Sequence, residues 1–589
     1  MNNEKMINMI IDGMPVRVLQ GTTIMEAAEE TIDVHIPRLC YHPDLSLAGS
    51  CRVCIVEVKG VDFFMASCCT QCTEGMEVVT NSPEIRQARR DIVELLLDNH
   101  PKECQVCERD SNCELQTLAY SLGVRERLFE GERKDFPVES SSRSVVRNPE
   151  KCILCGRCVR VCDEVQGIHN LSQQGRGFLT HVGPGHCADM DDSMCIQCGQ
   201  CINACPTAAF IEKRYTDDVW AALADPAKHV VVHTAPSIRA AIGEGFGMPP
   251  GTPATGKMVT ALRRLGFDAV FDTNFTADLT IIEEATEFLH RLEKGEHLPL
   301  LTSCSPGWVN YLERFYPELI PNASSCRSPM SMLSSLLKHY YAPKLGKDPK
   351  DVFVVSIMPC TAKKFEARRP ELCMPDGSPE TDAVLTTREL IWMIQSYGID
   401  MANLPDGDFD SPLGESSGAA DIFGTTGGVL EAALRMAVET VTGKPPENLE
   451  FEDVRAVEGL RERALKVNDQ LTLHVGIANG LNNAKTLLDK VVSGEKEFHI
   501  IEIMACPGGC IGGGGQPYPP DGYRILDKRL LQKRASALYD IDRKKPIRSS
   551  NHNPAIQALY DEFLGKPGGE KAHELLHTHY APRLPRGIR

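Results

Sequence analysis

Three stretches in the second half of this 589-residue chain carry side chains suited to a soft metal. Glu502 to Gln516 reads EIMACPGGCIGGGGQ and follows the apolar run Phe498-His-Ile-Ile, so a strand delivers Cys506 and Cys510 into a bed of glycine. A loop without bulky side chains lets a metal cluster come close to backbone. Loops that cradle phosphate are also glycine-rich, but the Gly-x-x-x-x-Gly-Lys-Ser/Thr pattern is missing. Cys304 in TSCSPGW and Cys360 in MPCTAKKFE likewise follow apolar runs. Four thiolates are enough for one iron–sulfur cubane.

The first half is denser still: of 24 cysteines, 18 precede residue 206, in tight spacings. With no signal peptide and no twin-arginine leader the chain reads as cytoplasmic, where disulfides are rare, so clustering predicts metal. Cys40, Cys51, Cys54 and Cys68 offer two thiolates per iron of a two-iron cluster, and the pattern resembles the plant-type [2Fe-2S] domain; Cys69 and Cys72 read as spectators. His100, Cys104, Cys107 and Cys113 give three thiolates and an imidazole. That set resembles the [4Fe-4S] segment shared by a large subunit of respiratory complex I, with zinc as the alternative the spacing permits. KCILCGRCVRVC and MCIQCGQCINACP are similar to a two-cluster bacterial ferredoxin. Its crossed ligation implies Cys152, Cys155, Cys158 and Cys205 on one cubane and Cys195, Cys198, Cys201 and Cys162 on the other. The fourth cysteine of each run is expected at a helix start, and Cys187 is left over.

These groups need several domains to position them, since the chain is too long for one core. MINMIIDGMPVRVLQ reads as a hairpin about an Asp-Gly turn, followed by a helix with Thr23 and Glu26 as a capping box. From about residue 215, seven apolar runs alternate with helical patterns: HVVVHTAP, DAVFDTNF, LPLLTSC, DVFVVSIMPC, DAVLTT, LTLHVGIANG and FHIIEIMAC. This is α/β patterning with buried parallel strands. Three of the runs end in a cysteine, and ligands bind beyond the carboxyl ends of such strands, so Cys304, Cys360, Cys506 and Cys510 are expected to converge. The expected fold is multidomain α+β and α/β. It comprises a β-grasp [2Fe-2S] domain (1–80), a histidine-and-cysteine [4Fe-4S] domain (81–125), a linker (126–148) and a two-[4Fe-4S] domain (149–214). A two-lobed catalytic domain (215–545) and a C-terminal helical segment wrapped on it (546–589) complete the chain. A net charge of −17 argues against nucleic acid, and no apolar run is long enough to span a membrane.

TSCSPGW (302–308), MPCTAKKFE (358–366) and EIMACPGGCIGGGG (502–515) resemble the three signatures of iron-only, or [FeFe], hydrogenases. IFGTTGGVLEAALR (422–435), ADLTIIEEATEFLHR (277–291) and the tail FLGKPGGEKAHELLHTHY also match, and the resemblance covers the whole chain. It is nearest to the multi-cluster clostridial form and to the catalytic subunit of NAD(P)-linked, electron-bifurcating hydrogenases. The resemblance implies one [2Fe-2S], three accessory [4Fe-4S] clusters and an H-cluster, a cubane joined to a diiron unit with CO, CN⁻ and azadithiolate. It places the bridging ligand at Cys510 and two other cubane ligands at Cys360 and Cys506. It puts the cyanide-binding lysine at Lys363 and the cyanide-binding loop at Pro236 and Ser237. Met504 and Phe423 fall beside the diiron unit, and Glu284, Ser324, Glu287 and Arg291 on a proton path. The Glu287–Arg291 spacing equally suits a helical i,i+4 ion pair. Implied partners are H2 and protons, ferredoxin or a flavin NAD(P)-binding subunit with a small [2Fe-2S] subunit, and maturation proteins.

One signature departs from the pattern. Where the family has two adjacent cysteines, a proton relay then a cubane ligand, this chain has Cys304 and Ser305. Alignment puts serine at the ligand position, whereas ligand counting asks Cys304 to be the fourth thiolate. Cys326 is a lesser substitute, and Ala362 and Met330 stand where some relatives have hydrogen-bonding side chains. Rival readings are a stand-alone ferredoxin hydrogenase, a pure electron-transfer subunit, and a hydrogenase-like assembly protein without the diiron unit. Three cysteine loops beside a lysine speak against the second, and the N-terminal cluster segments against the third.

Overall fold

The structure, a computed structural model, describes residues 5–125, 129, 131–185, 189–446, 448–455 and 459–584. Cys187 and four residues of the expected linker (126–128 and 130) lie outside the described residues. Met6–Ile11 and Met14–Leu19 form the antiparallel hairpin expected. Asp12 and Gly13 both take positive φ, 50° and 80°, the turn whose twist matches paired strands. The helix Ile24–Ile32 starts on the Thr23–Glu26 capping box. Glu77–Val79 pairs in parallel with the first strand and joins a five-stranded sheet. The helix Pro83–Asp98, capped by Ser82, leads to the His100 segment.

In the ferredoxin-like region Val145–Arg147 pairs with Phe210–Glu212, so the end of the expected linker is built into a sheet. The fourth cysteines do not stand at helix starts. Cys162 lies in the π-type turn Val161–Val165 that continues the helix Arg157–Arg160, and Cys205 immediately follows the helix Gln200–Ala204. The physical reason is spacing: each helix begins beside the third cysteine, so the fourth, four residues on, falls about a turn later, at or past the helix end.

The remainder is α/β. Ala269–Asp272, His229–Thr234, Val352–Met358 and Ala383–Thr386 form one wholly parallel sheet in that order. Leu300–Leu301, Ile500–Met504 and Thr472–Asn479 are parallel in a second sheet, with Leu460–Lys466 antiparallel at its edge. Helices cover both faces of the first sheet, which explains unbroken runs such as HVVVHT. The long helix Thr273–Lys294 packs on both Pro329–Leu336 and Gly428–Thr442. Pro554–Leu559 and Glu570–Leu576 close the hydrophobic layer under the first sheet. The tail is fastened where Thr578 N–H donates to Ser325 O (2.7 Å) and Arg327 Nε to His577 O (3.0 Å). No helix among the described residues is long and apolar enough to cross a membrane.

The glycine loop is where the parts meet. A Cβ on Gly514 would stand 2.2 Å from Cys198 O, and one on Gly513 would stand 2.1 Å from Pro359 O. Gln200 Nε2 donates to Gly512 O (3.1 Å), Asn203 Nδ2 to Gly513 O (3.3 Å) and Thr361 Oγ1 to Gln197 O (2.7 Å). Gly514→Ala must therefore push the ferredoxin-like loop off the catalytic domain. We expect a loss of about 1–3 kcal/mol, seen as a lower Tm, with slowed electron delivery by stopped-flow; an unchanged Tm would show that the loop yields freely.

Candidate active site and metal centres

One cavity of about 760 Å³ lies beyond the carboxyl ends of both parallel sheets. Cys304, Cys360, Cys506 and Cys510 all line it, as expected from strands that end in cysteine. The rest of the wall is mostly apolar, including Pro236, Met330, Met358, Ala362, Phe423 and Met504. Lys363 is the one basic residue among the described residues of this wall. Its Nζ donates to Cys304 O (3.2 Å) and pairs with Glu366 (2.6 Å), whereas its neighbour Lys364 turns away to Glu389 (2.7 Å). Burial raises the Cys360 and Cys506 thiols and pushes Cys510 up to about 12. Such thiols hold their protons until metal displaces them.

Cys304 and Ser305 diverge. Cys304 packs on the cluster that contains Phe423 and Met504. Its thiol is raised by burial, then by the charges of Glu284 and Cys510. Ser305 Oγ accepts from Ala505 N–H (3.3 Å), on the Cys506 side. Cys326 is buried outside the cavity, its Sγ 3.9 Å from Glu287 Oε2.

The expected proton-path residues are together. Glu284 is 3% exposed, and burial pushes its carboxyl up to about 8, against a pull from Ser324. Ser324 Oγ donates to Glu287 Oε2 (3.0 Å), and Arg291 pairs with Glu287 (2.6 Å), so the helical ion pair also forms. Glu287, Cys326 and His577 have ligand atoms within 4.8 Å of one another. Each polar partner is already engaged: Glu287 by Arg291, and His577 by Ser325 Oγ (2.8 Å) and Glu283 (3.1 Å).

The accessory sets assemble too. Cys51 N–H lies 3.5 Å from Cys40 Sγ, and the Cys54 and Cys68 sulfurs are 3.3 Å apart. Cys69 is exposed with its sulfur 3.4 Å from Cys68, and Cys72 belongs to the domain core. His100, Cys104, Cys107 and Cys113 line one cavity of about 340 Å³. Burial raises Cys158, helped by Cys155, Cys152 and Cys205; burial raises Cys201, helped by Cys195 and Cys162. Cys201 also acts on Cys158 and Cys205 on Cys201, so the two expected sets adjoin. Among the described residues none of these cysteine sets closes within 4.8 Å, as a mononuclear zinc site requires. Cys198 also lines the central cavity, so the ferredoxin-like region reaches its wall.

The whole of this arrangement has counterparts. Residues 228–514 match the model for the iron-only hydrogenase large subunit, C-terminal domain, and 527–583 that for the iron hydrogenase small subunit. Residues 4–83 match a 2Fe-2S iron-sulfur cluster binding domain, 89–127 the NADH-ubiquinone oxidoreductase-G iron-sulfur binding region, and 151–209 a 4Fe-4S dicluster domain. The NADP-reducing hydrogenase subunit HndD of Solidesulfovibrio fructosivorans is 49% identical, covering 98% of this chain and 99% of that protein. The chain belongs to the iron-only hydrogenase family. Iron hydrogenase 1 of Clostridium pasteurianum is 42% identical over 98% of this chain and 100% of its own length. The apo [FeFe]-hydrogenase HydA1 of Chlamydomonas reinhardtii is 45% identical with a TM-score of 0.56, covering 63% of this chain and 99% of that one. This hydrogenase thus carries a catalytic domain behind a relay of one [2Fe-2S] domain and two [4Fe-4S]-binding domains, one of them a dicluster domain.

Three residues of the site escaped the sequence reading. Gln516 is 2% exposed; its Nε2 donates to Ser237 Oγ (3.2 Å) and Cys510 O (3.1 Å), tying the Pro236 loop to the cysteine loop. Arg388 Nη1 donates to Gln516 O (2.7 Å). Glu502 accepts from Gly427 N–H (2.6 Å) and Leu430 N–H (2.7 Å), and burial pushes its carboxyl up to about 7. An acid inside the apolar run IIEIM was the signal for Glu502; nothing local marks Arg388.

Glu284 is protonated below about pH 8 and ionised above it. With Glu284 as the donor, H2 evolution is expected to fall roughly tenfold per pH unit above that point, while H2 oxidation rises through it. Glu284→Gln should cost about 10²–10⁴-fold in both directions. The check is the pH–rate profile with an artificial electron carrier; identical flat profiles for both proteins would remove Glu284 from the route.

Proposed function

We propose that the chain catalyses reversible H2 oxidation and proton reduction as the hydrogen-converting subunit of an NAD(P)- or ferredoxin-linked, electron-bifurcating complex in the cytoplasm. The observation that carries the reading is the convergence of Cys360, Cys506 and Cys510 beside Lys363 in a dry cavity that Cys198 adjoins. The residues fit the H-cluster: soft thiolates, a single ammonium to meet cyanide, and an apolar wall that excludes water. When bound, that cofactor supplies the chemistry of making and splitting H2.

This chain's residues do the rest. Cys360, Cys506 and Cys510 would hold the cubane, and Cys510 is the residue that would join it to the diiron unit. Lys363 and the Pro236–Ser237 loop orient the diiron unit, and Met504 and Phe423 keep water from it. Cys304 faces Phe423, Met504 and Glu284, so it serves as proton relay, and Ser305 takes the fourth corner of the cubane. Protons pass between Cys304 and solvent by Glu284, Ser324, Glu287 and Arg291. Cys40, Cys51, Cys54 and Cys68 hold the [2Fe-2S] cluster; His100, Cys104, Cys107 and Cys113 hold a cubane; the crossed sets hold two more. The six domains follow the boundaries read from the sequence, with the linker shortened at its strand.

The full-length likeness to an NADP-reducing hydrogenase subunit favours a complex in which a flavin NAD(P)-binding subunit and a small [2Fe-2S] subunit exchange electrons with the relay, alongside ferredoxin. Maturation proteins are needed to deliver the diiron unit. In the matured, anaerobic protein, infrared bands of CO and CN⁻ are expected; their absence would sink the hydrogenase reading. In Cys304→Ala the iron content and cubane signals should stay at the wild-type level while turnover falls at least 10²-fold. Loss of about four irons per chain would instead make Cys304 a ligand.

A further inference from the structure

Arg109 lies at the wall of the cavity formed by His100, Cys104, Cys107 and Cys113. It is only 3% exposed, and its Nε and Nη1 find no acceptor among the described residues. Buried guanidinium donors left without acceptors are costly, so such a group marks a place for something that accepts hydrogen bonds. The other cation of this wall, Lys151, is already paired with Glu108 (3.0 Å). The orientation of Arg109 is fixed from behind. Its guanidinium lies 3.6 Å from the centre of the Tyr518 ring, and Arg388 stacks on the same ring at 4.6 Å. The neighbouring Glu114 N–H donates to Pro206 O (3.0 Å), and Ala208 lines the same cavity. Arg109 therefore belongs to the seam between this site and the ferredoxin-like cysteines that end at Cys205.

We propose that Arg109 sets the reduction potential of the cubane held by His100, Cys104, Cys107 and Cys113, by donating N–H···S bonds from a fixed positive charge. The proposal rests on the ligand set given above. Sulfide and thiolate sulfurs are the acceptors a cluster would present to Nε and Nη1. Reduction adds one electron and makes the cluster more negative, so a buried cation and its donors favour the reduced form and raise the potential. The charge of Arg109 also reaches Cys205, so its effect on the neighbouring set is of the same sign.

The test is an EPR-monitored redox titration of the anaerobic holoenzyme. Arg109→Met should keep its iron and lower the midpoint of this one cluster by at least a tenfold change in its reduction constant, ~59 mV for one electron. The midpoint of the cubane that includes Cys205 should fall by less, and those of the remaining clusters should hold. Arg109→Lys, which keeps a charge but loses the fork and the stacking, should fall between. An unchanged midpoint in Arg109→Met with intact iron overturns the proposal. If that variant loses the cluster, Arg109→Lys decides: a lowered midpoint supports the assignment and a wild-type midpoint overturns it. His100→Cys separates the two readings: if it alters no EPR signal, the ligand set itself is wrong and the proposal falls with it.

Discussion

Everything in this molecule depends on backbone meeting backbone at residues 512–515. Gly513 lies against Pro359, Gly514 against Cys198 and Gly199, and Gly515 against Thr386. One loop thus fixes the second signature, the last accessory cluster loop and the first sheet relative to one another. Any side chain there would intrude on a carbonyl or a neighbouring Cβ, and none could be accommodated by a rotamer change, because the obstructing atoms are mostly main chain. The glycines read in the sequence as room for a cofactor are first of all room for other parts of the protein.

Around that contact most buried ions are paired, and two acids, Glu284 and Glu502, are exceptions among the described residues. Arg239 is shared by Asp272 and Asp421, Arg435 by Asp542 and Glu431, and Arg369 binds Glu313. These pairs hold the loops and helices behind the cavity, where removing one partner would strand a charge. Glu284 and Glu502 are handled differently: both are buried without a cation of their own, and burial lifts both toward neutrality. A carboxyl that can gain or lose a proton near pH 7 is what a dry site coupled to solvent requires. Glu502 spends its oxygens on the start of the helix Gly428–Thr442, so of the two Glu284 is the one placed to move protons.

The C-terminal segment follows the same logic. In sequence it is a tail with a family likeness; in space its helices complete the hydrophobic layer under the first sheet, and His577 reaches Ser325 beside Glu287. Residues 527–583, which match a small-subunit model, contribute helices and no strand, yet Arg534 donates to Ile511 O (2.7 Å) and Asp542 pairs with Arg435 (2.9 Å), so they are part of the core.

Much was legible in the sequence for a physical reason. Apolar runs that end in cysteine and local turn and cap residues encode their geometry locally, so the hairpin, the capping box and the seven strands all stand where the residues put them. The fourth cysteines showed the limit of that reading, because each helix starts beside the third cysteine and is at or past its end when the fourth is reached. What only the tertiary structure decided depends on groups far apart in the chain. Cys304 and Ser305 are adjacent in sequence, yet only the packing of Phe423, Met504 and Glu284 on one side and Ala505 on the other separates them. Gln516, Arg388 and Arg109 have no spacing to betray them, because a hydrogen bond or a stacked ring across 100 residues or more leaves no period in the sequence. Local spacing determined which atoms this protein offers to iron; long-range packing determined which way each of them faces.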